Sequence, residues 1–229
     1  MKKVATIVVL IGISWLTLIG AARAEEIEIE PKEVKYTTGF VQGYQLGGYW
    51  PSLSEFNEQR LESRGLDPID NLFYNGFMIG YLINPHLQID YFIGSGNRRV
   101  SRKFGTGDVR SGKVEILSHQ FTLLYKPKLE TKWCLSFGAG LGYHKVIYEE
   151  EETPLGKATA LHRWQGDTWG GDIMFDIYYR FTPIIALGGS LTYNIAKISD
   201  MSEGGVEDDD FPLVDLSGLL FKFGFRIYF

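Results

Sequence analysis

Residues 219–229 read LLFKFGFRIYF. One parity carries Leu219, Phe221, Phe223, Phe225, Ile227 and Phe229, and the other carries Leu220, Lys222, Gly224, Arg226 and Tyr228. Large apolar groups alternating with charge, glycine and tyrosine form a period of two, which predicts a β-strand. A strand face bearing four phenylalanines is hard to cover in a soluble sheet and sits naturally against lipid.

The same alternation recurs upstream. Ile173, Phe175, Ile177, Tyr179 and Phe181 alternate with Asp172, Met174, Asp176, Tyr178 and Arg180. Leu87, Ile89, Tyr91 and Ile93 alternate with Gln88, Asp90, Phe92 and Gly94. Leu135, Phe137, Ala139, Leu141 and Tyr143 alternate with Cys134, Ser136, Gly138, Gly140 and Gly142. Weaker alternation covers 38–49, 72–83, 114–126 and 184–197. Eight strands of about ten residues each are long enough to cross a bilayer when tilted.

The connections alternate in length. Asn84-Pro85-His86, 127–131 and Thr182-Pro183 are tight and hold proline, which cannot continue a ladder. The segments 51–71, 99–113, 149–168 and 199–212 are long and polar. Short turns at one end and long loops at the other predict an all-β, eight-stranded antiparallel up-and-down transmembrane barrel. Within the first long loop, Ser52-Leu53-Ser54-Glu55 has the form of a capping box and Gly65 that of a stop, so a short helix is expected between them. A lipocalin-like barrel has the same strand count with the opposite polarity, and alternation alone does not distinguish inside from outside.

Lys2 and Lys3, the apolar run 4–19 and Ala22-Arg23-Ala24 make residues 1–24 a cleaved secretory signal peptide. The expected organisation is then a periplasmic lead-in over 25–37 and a barrel over 38–229. The whole chain carries 23 basic and 28 acidic residues, net -5. Losing Lys2, Lys3 and Arg23 leaves 20 against 28, a net charge of -8 that argues against nucleic acid as a partner. One cysteine, Cys134, excludes an internal disulfide and a cysteine-based zinc cluster.

The ending Phe225-Arg226-Ile227-Tyr228-Phe229 resembles the assembly signal of Gram-negative outer-membrane proteins, with Phe225, Ile227 and Phe229 as its residues. Residues 82–92, Leu-Ile-Asn-Pro-His-Leu-Gln-Ile-Asp-Tyr-Phe, resemble the turn between strands two and three of the small outer-membrane barrels of OmpA, OmpW and opacity type. The resemblance covers 38–229 and is one of pattern. It implies an outer-membrane location with both termini periplasmic, a monomer, and the lipid, lipopolysaccharide and assembly machinery of that membrane as partners.

For chemistry, the polar faces of three strands carry Asp90, Asp172, Asp176, Arg180, Lys222 and Arg226. In a narrow lumen these read as a plug of paired charges or as a charged constriction, and an unpaired charge there is costly. Ser118 and His119 are neighbours in sequence and so face opposite sides of a strand. The His-x-Ser spacing of lipid A deacylase-type barrels is absent, so no catalytic residue and no cofactor is assigned. The acidic runs 149–152 and 207–210 match no calcium-loop spacing, and no metal ligand is assigned. Tyr49, Trp50, Trp133, Tyr148, Trp164 and Trp169 suit an interfacial girdle, with Phe56 and Trp164 as alternative ligand contacts. The expected function is structural or surface-interacting, through long loops around a plugged lumen. A channel for small or hydrophobic solutes is the alternative, with an acyl-modifying enzyme behind it.

Overall fold

The alternation at the C-terminus becomes one wall of a closed barrel in the computed structural model, which describes residues 39–127, 132–156 and 158–229. Residues 1–24 and 25–37 therefore lie outside the described residues. The barrel strands are β1 (Gly39–Pro51), β2 (Leu72–Asn84), β3 (Leu87–Lys103), β4 (Val109–Tyr125), β5 (Trp133–Thr153), β6 (Ala160–Arg180), β7 (Ile185–Ile195) and β8 (Gly218–Tyr228). Each pairs antiparallel with the next, and β8 closes on β1 from Val41 opposite Tyr228 to Pro51 opposite Gly218.

The greasy face points outward. Phe221, Phe223 and Phe225 are 49%, 45% and 39% exposed, whereas Lys222 and Arg226 on the other parity are 2% exposed. That polarity excludes the lipocalin-like alternative, because only lipid covers such a band. At one rim of the band the exposed aromatics include Phe40, Tyr81, Tyr125, Trp133, Phe181 and Phe229; at the other they include Trp50 and Trp169. Tyr49, Tyr148 and Trp164 are not girdle residues: their parity turns them inward, where they are buried.

The turns behave as their chemistry dictates. Asn84 Oδ1 accepts from the His86 amide at 2.8 Å, and Thr182 Oγ1 accepts from the amides of Ile184 and Ile185. Most of the third turn, 128–131, lies outside the described residues.

Two of the expected long loops are corrected. Most of 99–113 and 149–168 continues as strand, so β3 to β6 rise well beyond the apolar band as a sheet. Above the lipid the outer face no longer has to be apolar, so the period-2 signal fades while ion pairs brace the sheet. The run 149–152 illustrates this. Glu149 pairs with Lys113 and Arg163, Glu150 with Arg64, Glu151 with Arg99 and Glu152 with Arg110. Hydrogen bonding to the Glu115 carboxylate holds the Lys113 ammonium above the ordinary lysine range.

Along the loop end, the β6–β7 ladder stops at Gly171 opposite Ile195. Segment 196–201 then fills the seam, with Ala196 against Gly170 and Ile198 and Met201 against Gly166. A two-residue strand pair, Lys197–Ile198 with Val214–Asp215, anchors that segment. A small hairpin, Ser202–Glu203 with Val206–Glu207, adds to β6 at Trp164 and Gln165.

Glycines on the inner face make room for polar neighbours. A Cβ at Gly140 would lie 2.7 Å from Asp172 Oδ2 and 2.8 Å from Thr122 Oγ1, in addition to striking the Phe121 carbonyl. Gly140→Val should therefore abolish folding, read as loss of the heat-modifiable band on electrophoresis. A normally folded Gly140→Val would show that the lumen has slack there.

Candidate functional site

Among the described residues most of the buried charge lies in the lumen. Arg226 on β8 reaches across to Asp176 on β6 at 2.6 Å and to Asp90 on β3 at 3.6 Å. Its guanidinium also lies 4.1 Å from the centre of the Tyr178 ring. Ser136 donates to Asp176 at 3.2 Å, and Gln88 donates to Asp90. Asp172 accepts from Thr122 at 3.2 Å, and Lys222 lies 4.2 Å above the Phe92 ring. Of the six charged residues read from sequence, five are at least 96% buried. Arg180 differs: it is half-buried, with its guanidinium 4.6 Å from the Tyr228 ring.

Sequence reasoning missed much of the rest of this layer. Lys126 donates to Gln88 at 2.8 Å, Gln45 to Ser190 at 3.1 Å and Gln120 to Asn194 at 2.8 Å. Ser118 Oγ and His144 Nδ1 share a 2.9 Å hydrogen bond across β4 and β5. His144 Nε2 has no hydrogen-bond partner among the described residues, so no carboxylate orients this pair as a hydrolytic triad requires. A cavity lined by Arg226 and Lys222 measures about 10 Å³, room for about one water.

Above the polar layer sits an apolar cap built from the first loop. A helical stretch runs from Ser54 to Arg64 through α, π and 3₁₀ turns, and Gly65 ends it at φ 74°. The capping box does not form. The Ser52 amide donates to the Ser217 carbonyl at 2.9 Å, prolonging the β1–β8 ladder, and Leu53 takes the N-cap position. Asn57 closes the loop through two hydrogen bonds to the Ile69 backbone, 3.1 and 3.0 Å.

Phe56 and Trp164 are therefore not free to contact a ligand. Phe56 packs edge-on against Tyr148 at 5.0 Å and stacks with Phe211 at 6.2 Å, while Trp164 stacks on Tyr148 at 5.5 Å. Arg60 lies 4.2 Å from the Phe211 ring and 3.2 Å from Asp208, which also accepts from the Trp164 indole. These contacts tie the first loop, β5, β6 and the last loop into one apolar lid over the lumen. Among the described residues no group of three or more His, Cys, Asp or Glu side chains is placed to hold a metal ion.

No family model matches the chain, and no curated protein matches it. Solved structures do. The outer membrane protein OprG from Pseudomonas aeruginosa is 15% identical with a TM-score of 0.53, over 85% of this chain and 97% of that one. Neisserial surface protein A is 16% identical with a TM-score of 0.47, over 83% and 96%. The attachment invasion locus protein Ail of Yersinia pestis, solved with the heparin analogue sucrose octasulfate, is 11% identical with a TM-score of 0.43. Closed strand order, outward apolar band and the likeness to OprG agree: this chain has the fold of the small eight-stranded outer-membrane β-barrels.

Proposed function

We propose that this protein is a non-conducting, non-enzymatic surface protein of the outer membrane, in which the barrel serves as anchor and the loop end as the working part. In this reading the turn end and both termini face the periplasm. The loops meet the outer-leaflet lipopolysaccharide and the medium beyond it. The outward row Phe225, Ile227 and Phe229 engages the assembly machinery before it engages lipid.

The observation that carries the reading is a lumen filled twice over, by the Arg226–Asp176–Asp90 layer and by the apolar cap above it. Each layer alone interrupts a water path. Ser118 and His144 are each 2% exposed, which supports a structural role for the pair.

Planar-bilayer conductance of the refolded chain tests this, together with Asp176→Asn and Arg180→Gln. The expected result is silence from wild type and both variants, with insertion verified by heat-modifiability. Steady wild-type current that shifts with those substitutions would replace this reading with a channel.

A further inference from the structure

The sheet that rises above the apolar band has two open edges. From Arg98 to Lys103, β3 pairs with β4 only, because its ladder with β2 ends at Phe73 opposite Asn97. At the other end the Val206–Glu207 strand has a neighbour on one side only. In the sheet order the Ser202–Glu203 strand follows β6 and the Val206–Glu207 strand lies beyond it, so the two edges are the opposite ends of the raised sheet.

The edges carry opposite charge. Along β3, Arg98, Arg99, Arg102 and Lys103 are all exposed. Glu151 pairs with Arg99, and Arg102 donates to the Gly65 carbonyl. Among the described residues Arg98, Arg102 and Lys103 have no carboxylate within ion-pair distance. At the far edge Glu207 is exposed, as are Asp209 and Asp210 just after it in the chain, and among the described residues these three have no cation within that distance.

Charge on an open strand edge commonly prevents edge-to-edge association. That protection needs the same sign on both edges, since like charges repel between copies. Here the signs are opposite. The membrane holds every copy in one orientation, so the acidic edge of one copy can face the basic edge of the next at equal height. We propose that this sheet docks with a second copy of the chain, basic β3 edge against acidic hairpin edge. The contact is heterologous, and repeating it gives rings or open rows in the membrane plane. It replaces the monomer expected from sequence and rests on the membrane reading above. The pairs are solvent-exposed, so docking is salt-sensitive, with a screening length of about 8 Å at physiological ionic strength.

The test is energy transfer between copies of the full chain refolded in phosphatidylcholine vesicles. Donor and acceptor dyes are attached at Asn71→Cys in a Cys134→Ser background. One variant combines Arg98→Glu, Arg102→Glu and Lys103→Glu; the other combines Glu207→Lys, Asp209→Lys and Asp210→Lys. Transfer above the random-proximity level is expected from the parent protein at low salt, falling severalfold at about 1 M salt, where screening shortens to about 3 Å. Each variant alone should fall to the random level, and mixing the two should restore transfer, since each then supplies the edge the other lacks. Random-level transfer from inserted parent protein, or undiminished transfer in either variant alone, would overturn the proposal. So would parent transfer abolished by added lipopolysaccharide, which would assign the basic edge to lipid phosphates. Failure of the membrane reading itself shows separately, as loss of heat-modifiable, vesicle-bound protein.

Discussion

Arg226→Met should destabilise the barrel by about 3–5 kcal/mol, the usual consequence of removing one partner from a buried ion pair. Methionine keeps much of the side-chain volume, so a cavity is not the main effect. What remains is two carboxylates, Asp176 and Asp90, each at most 2% exposed. Asp176 would retain the Ser136 hydroxyl and Asp90 the Gln88 amide, but both would lose the Arg226 guanidinium. The contact with the Tyr178 ring is lost as well. Urea unfolding of vesicle-inserted protein measures the change. Adding Asp90→Asn and Asp176→Asn to Arg226→Met should recover most of it, because neutral amides need no counter-charge in that layer. A cost below about 1 kcal/mol would mean that the charges are hydrated, since exposed pairs contribute that little.

How far these interactions were legible depends on what sequence period reports. Alternation gives the faces, so Asp90, Asp176 and Arg226 share one barrel face on sequence alone, and the loop-length pattern makes that face the lumen. It does not give register between strands. A hairpin centred on the tight turn read at 127–131 would put Gly140 opposite Ser118; the observed ladder puts His144 there. A shift of that size decides which polar groups meet, and no residue pattern on β4 or β5 encodes it. The outer sheet was hidden for a different reason. Outside the bilayer neither face must be apolar, so Arg99 opposite Lys113 and Glu149 opposite Arg163 look like loop composition while forming ladder. Phe56 was legible as part of a short helix but not as core, because its partners Tyr148 and Phe211 are 92 and 155 residues away in sequence.

The cap and the polar layer can be separated by Phe56→Asp. The substitution places a carboxylate where Phe56 is 1% exposed between Tyr148 and Phe211. Losing a buried phenylalanine alone costs roughly 3–5 kcal/mol, and an unpaired buried charge adds to that. The first loop is also held by Asn57, Arg60 and Arg64 and by the buried Leu53, Leu61, Leu66 and Ile69, and a carboxylate at position 56 disrupts the apolar packing those four share with it. The loop should therefore release while the barrel, whose ladders lie below it, stays intact. Trypsin should cut after Arg60 and Arg64 within minutes in the variant and not in the parent, with the heat-modifiable band retained. Conductance should stay silent even then, because Arg226, Asp176 and Asp90 still close the lumen beneath. A steady current from Phe56→Asp would put the seal in the cap alone, and the buried charges would then be left with only a stabilising role.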